Sequence, residues 1–189
     1  FDNQLFAGVR MNFSMNNLAL PNIPDTGFKL KANAERTYNL DSDRNYFKYG
    51  AEFTYYHFFG KQVLGVASRI GFEHIDGDVE FYQLAQLGGR TNFRAVRSER
   101  FLGNSVFYHN TDLRIKGFGF SKNASSVTGG ILLGFDYGRV WLEGEDSDVW
   151  HYAYGGGLWY APFNAVVLSA TYFDSKDGSR INVGVGFPF

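Results

Sequence analysis

The chain has no cysteine, only four prolines and a formal net charge of −1 over its 189 residues. Without cysteine it can form neither a disulfide framework nor a thiolate metal site. With almost no net charge it has no general attraction for nucleic acid, so we expect no nucleic-acid partner. No run of about 18 apolar residues occurs, and this excludes an ordinary transmembrane helix.

Signals for targeting and for catalysis are also missing. The first residues, "FDNQLFAGVR", show no basic segment followed by an apolar core, so a signal peptide was removed or the chain begins inside a longer protein. No nucleotide-binding loop, nucleophile elbow or metal motif occurs. Ser68 and His109 come nearest to a catalytic pair, but their spacing gives no support. We therefore predict no enzyme, no catalytic residue, no cofactor and no metal site.

Aromatic residues and glycine are abundant, and they recur with a period of two. The sequence holds 20 Phe, 12 Tyr and 23 Gly. Apolar residues alternate with polar residues or glycine in segment after segment, which is the pattern of β-strands with two different faces. Nine strands are predicted, near residues 4–15, 27–37, 46–59, 62–75, 105–118, 126–141, 150–161, 165–174 and 179–189.

The alternation places the charged residues of the strands on one face. Turning that face to lipid would cost up to ~2–4 kcal/mol for each basic residue near the bilayer midplane. The charged face must therefore point inward. It carries Lys29, Lys31, Glu35, Lys48, Glu52, Arg69, Glu73, Asp112, Arg114, Lys116, Asp136 and Arg180.

Strand length and loop length favour an all-β, antiparallel transmembrane β-barrel. The strands have about ten residues or more, enough to cross ~25 Å of hydrocarbon when tilted. Short turns alternate with longer polar loops, and aromatic residues lie at both ends of the apolar face of the strands. The alternative is a soluble β-sandwich, whose strands are usually nearer to five or six residues.

The number of strands predicts that the barrel is larger than this chain. Bacterial single-chain barrels have an even number of strands, and nine is odd. The chain then forms the C-terminal part of a larger barrel. An intact eight-stranded barrel, with one strand outside the membrane, is the alternative.

One long loop, residues 76–104, concentrates positive charge. Its segment "LGGRTNFRAVRSERFLGN" holds Arg90, Arg94, Arg97 and Arg100. Together with "FYQLAQLGG", "NTDLR", "GFDYGRVW", "YGGGLWYAPF" and the final Phe189, this segment resembles the bacterial surface antigen domain. That domain is the barrel of the BamA-like assembly and translocation superfamily, and the resemblance covers essentially the whole chain.

The resemblance implies a sixteen-stranded barrel that follows periplasmic POTRA domains. Residues 1–189 would be its C-terminal portion, about nine strands. Loop 76–104 would be the sixth extracellular loop, which folds back into the lumen.

The resemblance also implies a contact between this loop and the lumen wall. Arg94 takes the place of the motif arginine, and Ala95 and Val96 stand where the family has glycine and an aromatic residue. Asp112 and Asp136 match the acidic positions that receive the arginine, and the alternation independently places both inward. Arg90, Arg97 and Arg100 either join this contact or face solvent or lipopolysaccharide.

The last strand, "INVGVGFPF", resembles the C-terminal signal that the barrel assembly machinery recognises. Phe187 and Phe189 would carry that signal. The alternation places both on the outward face, where they would also serve as interfacial aromatics. The resemblance implies that this strand closes weakly against the first strand of the barrel and can open laterally. Pro188 removes a backbone donor next to that seam.

The resemblance implies a protein of the Gram-negative outer membrane that inserts, assembles or translocates other proteins. Its expected partners are outer-membrane lipid or lipopolysaccharide, client outer-membrane proteins and periplasmic proteins. Two alternatives stay open. One is a barrel that anchors a patatin-like or phosphoesterase domain, and the other is a small standalone eight-stranded barrel.

Overall fold

Nine long antiparallel strands form one sheet in a computed structural model that describes residues 5–18, 26–60, 63–122, 125–163 and 165–189. The long strands are β1 (Phe6–Leu18), β2 (Gly27–Asn39), β3 (Asn45–Phe59), β4 (Leu64–Gly77), β7 (Ser105–Lys122), β8 (Ser125–Trp141), β9 (His151–Pro162), β10 (Leu168–Ser175) and β11 (Gly178–Val185). The strand order is β1-β2-β3-β4-β7-β8-β9-β10-β11, so each long strand pairs with the next long strand in sequence.

The predicted all-β antiparallel class and its nine strands are confirmed, with boundaries that differ by a few residues. The predicted starts at positions 4 and 62 lie outside the described residues. The sheet is open, because β1 and β11 stand at its two ends and are not paired with each other in the described part of the chain. No helix among the described residues is long and apolar enough to span a membrane.

The two faces of the sheet differ in the way the alternation predicts. In β4, for example, Gly65, Ala67, Arg69 and Gly71 are buried, whereas Leu64, Ile70 and Phe72 are exposed. We call the first side the loop-covered face and the second the bare face. Large exposed residues of the bare face include Val9, Met11, Phe53, Tyr55, Ile70, Phe72, Ile131, Leu133, Leu158, Tyr172 and Val183.

The segment between β4 and β7 packs onto the loop-covered face. It contains a short 3-10 helix, Phe81–Gln83, and a small hairpin of β5 (Ala85–Leu87) and β6 (Phe101–Gly103). Leu87, Phe93, Ala95 and Val96 from this segment join a buried cluster with wall residues that include Phe173. The folded loop therefore has a hydrophobic core of its own against the sheet.

Glycines of β8 leave room for that loop. A Cβ atom at Gly138 would lie 2.8 Å from a methyl carbon of Leu87. A Cβ atom at Gly134 would lie 2.5 Å from Cζ of the Phe173 ring and 2.8 Å from Nη2 of Arg94. A larger residue at either position would push the loop or Phe173 away from the wall.

The end of the chain departs from the prediction. Strand β11 ends at Val185, and Gly186 adopts a φ of +81°, a left-handed conformation that breaks the strand alternation. Phe187 then packs 5.6 Å from the Trp159 ring, which belongs to the loop-covered face. The prediction that Phe187 and Phe189 face outward is therefore wrong, because alternation was extended through a glycine at which the strand had already ended.

Candidate functional site

Arg94 at the tip of the loop bonds to two carboxylates of the sheet wall. Its Nη1 lies 2.6 Å from Oδ1 of Asp112, and its Nη2 lies 2.6 Å from Oδ1 of Asp136. Its Nε and its backbone N also donate to Asp136, at 2.9 and 3.0 Å from Oδ2. All three side chains are 0% exposed. The structure thus brings together the three residues that the resemblance pointed to.

The two acids lie close together because of the register of β7 and β8. Asn110 pairs with Asp136, and Asp112 pairs with Gly134, so the carboxylates occupy diagonal positions on one face. The glycine opposite Asp112 leaves the space into which the guanidinium fits. Two carboxylates next to each other in a buried site would repel, and the arginine between them offsets that repulsion.

Electrostatics and packing both hold the guanidinium. Arg94 lies in the loop rather than in a strand; burial alone would lower its pKa, but Asp112 and Asp136 outweigh burial and raise that pKa above the ordinary value. Arg94 is therefore a permanent cation. Its Cζ also lies 4.0 Å from the centroid of the Phe173 ring, at a distance typical of a cation–π contact.

The residues after Arg94 show why glycine is not needed at the tip. Ala95 is 0% exposed, and its φ is not positive. Among the described non-glycine residues, Glu99 and Phe163 have a positive φ. Any L-residue can therefore adopt the backbone conformation at this position, and the methyl group of Ala95 packs in the buried cluster. The backbone oxygen of Val96 accepts a hydrogen bond from Nη1 of Arg180 at 3.2 Å.

Arg90 makes a second contact from the loop, to the end of the last strand. Its Nη2 donates to the backbone oxygen of Gly186 at 2.9 Å and approaches that of Val185 at 3.3 Å. A side chain at Gly184 would overlap the Arg90 guanidinium. Arg97 and Arg100 are exposed. Two of the four loop arginines therefore contact the sheet wall, and two do not.

A further arginine of the wall, Arg114, binds the turned-in chain end. Its Nη2 donates to the backbone oxygen of Phe189 at 2.8 Å, and its Cζ lies 3.8 Å from the centroid of the Phe187 ring. Arg69 lies 4.5 Å from the Phe189 ring. The sequence alternation places both arginines inward but assigns them no partner. For Arg114 a partner could have been predicted, because Asp112 lies two residues before it on the same face.

Ser68 and His109 lie together on the bare face. The Ser68 Oγ is 2.8 Å from Nε2 of His109. In the described part of the chain no carboxylate bonds to the other ring nitrogen, so the pair lacks the acid of a catalytic triad. No group of His, Asp and Glu that could hold a metal ion occurs among the described residues.

A sheet with one bare apolar face, a charged opposite face and a loop held there by a buried arginine has the architecture of an outer-membrane barrel wall. The sequence pattern of the Omp85 superfamily domain matches residues 2–189, and the chain belongs to this superfamily.

Solved structures agree with this at the level of fold. The chain is similar to a structure described as "The crystal structure of BamA from Haemophilus ducreyi lacking POTRA domains 1-3", with a TM-score of 0.70 and 18% sequence identity. The match covers 94% of this chain and 41% of that one, so the chain spans less than half of that structure's length. No curated protein matches the chain.

Proposed function

We propose that this chain is the C-terminal part of a sixteen-stranded outer-membrane barrel of a Gram-negative bacterium, and that the barrel inserts, assembles or translocates other proteins. The observation that carries the proposal is the buried contact of Arg94 with Asp112 and Asp136, at the positions where the resemblance to the superfamily requires it. The loop-covered face is then the lumen wall, and loop 76–104 is an extracellular loop folded into it.

The open sheet supports a larger barrel. β1 and β11 each have one edge without a partner strand in the described chain. Unpaired backbone N–H and C=O groups cost several kcal/mol each in hydrocarbon. Both edges need a partner strand before the sheet can cross a membrane, and we propose that further strands of a larger barrel supply it. A match to 41% of the BamA structure's length fits such a partial barrel.

The chain end gives the proposal a second element. We assign to Phe187 and Phe189 the role of an assembly signal that can be read only before the barrel closes, because in the folded chain their rings lie against Arg114 and Arg69. The proposed partners are client outer-membrane proteins, periplasmic proteins, and lipid or lipopolysaccharide around the bare face.

The experiment is reconstitution of the complete protein in lipid vesicles, with the folding rate of an added outer-membrane client as the readout. The client should fold faster than in protein-free vesicles, and Arg94→Ala should reduce that acceleration while Arg97→Ala leaves it intact. The protein should fractionate with outer membranes and migrate on gels in a heat-modifiable way. If an upstream hydrolase domain accounts for all activity and no client folds faster, the chain is only an anchor.

A further inference from the structure

A cavity of about 390 Å³ lies between the sheet wall and the folded loop. Strands β2, β3 and β4 supply one side of it, with Lys29, Glu52 and Arg69. The loop tip and the turned-in chain end supply the other side, with Arg90 and Phe189. The cavity is distinct from the site of Arg94, which is fully buried and does not line it.

Positive charge dominates the lining of this cavity. Among the side chains that line it, Lys29, Lys31, Arg69 and Arg90 carry four positive charges and Glu52 carries one negative charge. The chain-end oxygen of Phe189 is already bonded to Arg114. Glu52 is already shared, because it lies 3.1 Å from Lys31 and 3.7 Å from Arg69 and accepts a hydrogen bond from the Tyr108 hydroxyl at 2.9 Å. One carboxylate therefore cannot balance the other cations.

Lys29 and Arg90 are the cations without an acidic partner. No carboxylate side chain of the described residues lies within ion-pair distance of either one. Arg90 uses Nη2 for backbone oxygens, and Nζ of Lys29 lies 5.3 Å from the centroid of the Tyr56 ring. Both side chains are half-buried, and a partly desolvated cation without an anionic partner favours an added negative group.

Buried hydrogen-bond donors next to the cavity also favour an added negative group. Tyr56 lines it and is 1% exposed, yet its hydroxyl has no hydrogen-bond partner in the described structure. Nε and Nη1 of Arg114, whose Cζ lies 5.7 Å from the Tyr56 ring centroid, are also buried without a partner. Unsatisfied buried polar groups are rare in folded proteins and call for an explanation.

We propose that this cavity binds an anion of the phosphate class. A dianion would neutralise the charge of Lys29 and Arg90 together, which a single carboxylate would not. Arginine presents a planar fork that matches the oxygens of a phosphate, and lysine adds a point charge. Because the cavity lies on the loop-covered face, away from the apolar bare face, free phosphate is the expected source rather than a lipid headgroup.

The test measures thermal unfolding of the purified complete protein in dodecyl maltoside, a detergent that carries no phosphate. Inorganic phosphate replaces chloride at constant ionic strength, so general screening stays fixed. The midpoint should rise with phosphate and saturate. Lys29→Gln should weaken the apparent affinity about tenfold, the factor that one charge-assisted hydrogen bond carries. Lys176→Gln, the same change at an exposed turn, should leave it unaltered.

A second arm separates the two sources of phosphate. Phosphatidylglycerol is added to the micelle with no free phosphate present. If this lipid raises the unfolding midpoint and the rise is lost in Lys29→Gln, the site exists and its ligand is a lipid headgroup. Two results overturn the proposal: no saturable rise with either phosphate source, or a rise of equal size and affinity in Lys29→Gln.

Discussion

Arg90 occupies the space that any side chain at position 184 would need. A Cβ atom added to Gly184 would overlap Nη1 of the Arg90 guanidinium, whose Nη2 donates to the backbone oxygen of Gly186 at 2.9 Å. The loop tip and the last strand therefore fit each other at this position. The loop is joined to the sheet both at β7 and β8, through Arg94, and at the end of β11, through Arg90.

We predict that Gly184→Ala and Arg90→Ala remove the same contact. An added methyl group should push the guanidinium away from the oxygens of Val185 and Gly186, because a flexible side chain moves more easily than the strand. Each change should lower the free energy of unfolding by about 1.5–3 kcal/mol, the range for a hydrogen bond that involves a charged group.

A double-mutant cycle measures this coupling by denaturant unfolding of the complete protein in detergent. Because the two changes remove one interaction, the double variant should be little less stable than either single variant. Gly184→Ala combined with Arg97→Ala should instead be additive, since Arg97 is exposed. Full additivity of Gly184→Ala with Arg90→Ala would contradict the shared contact.

Arg94→Ala should be among the most destabilising changes in the loop. It leaves the buried carboxylates of Asp112 and Asp136 near each other without their cation. Breaking a buried ion pair from one side costs about 3–5 kcal/mol. Arg97→Ala, the matched change at an exposed position, should stay within about 0.5 kcal/mol of the original protein.

Arg94→Lys refines this test, because it keeps the charge and loses the fork that reaches both acids at once. Its unfolding midpoint should fall between those of the original protein and Arg94→Ala. The measurement is heat-modifiable gel migration as a function of temperature. Equal midpoints for Arg94→Ala and Arg97→Ala would exclude a structural role of the buried contact.

The two acids should not be equivalent. Asp136 accepts hydrogen bonds from the backbone N, Nε and Nη2 of Arg94, whereas Asp112 accepts from Nη1 and lies 3.5 Å from Arg114. Asp136→Asn should therefore destabilise the protein more than Asp112→Asn, by about 1 kcal/mol for each additional bond that the neutral amide weakens. Unfolding of both variants in one detergent series measures the difference, and a larger effect at Asp112 would reverse the assignment.

The sequence was informative wherever the strand alternation was unbroken. The alternation alone places Asp112 and Asp136 on one face, and the register of β7 with β8 determines their diagonal distance. The same rule failed at Phe187 and Phe189, because the left-handed Gly186 turns the chain after β11 has ended. Glycine occurs within strands and at their ends alike in this chain, so its identity alone does not show where alternation stops.

The sequence also could not predict which of the loop arginines contact the sheet and which face solvent. Arg90 and Arg97 both lie in an irregular segment between β5 and β6, where no fixed period assigns a side chain to the wall or to solvent. Their directions depend on the fold of the loop, including the hydrogen bond from the backbone N of Gly89 to the oxygen of Val96 at 3.0 Å. The arginine that resembled a family motif was the one whose partners could be predicted.

Restoring the residue that the family usually has should weaken this protein. Ala95→Gly removes a methyl group that is 0% exposed in the buried cluster, at a position without positive φ. The lost burial costs about 0.8 kcal/mol, and the greater freedom of glycine in the unfolded chain adds about 0.4–1 kcal/mol. We therefore expect a loss of about 1–2 kcal/mol in the free energy of unfolding. Ser98→Gly, at an exposed position of the same loop, should lose only the part that comes from chain freedom. If Ala95→Gly equals or exceeds the original protein in stability, the loop tip needs a backbone conformation other than the one described here.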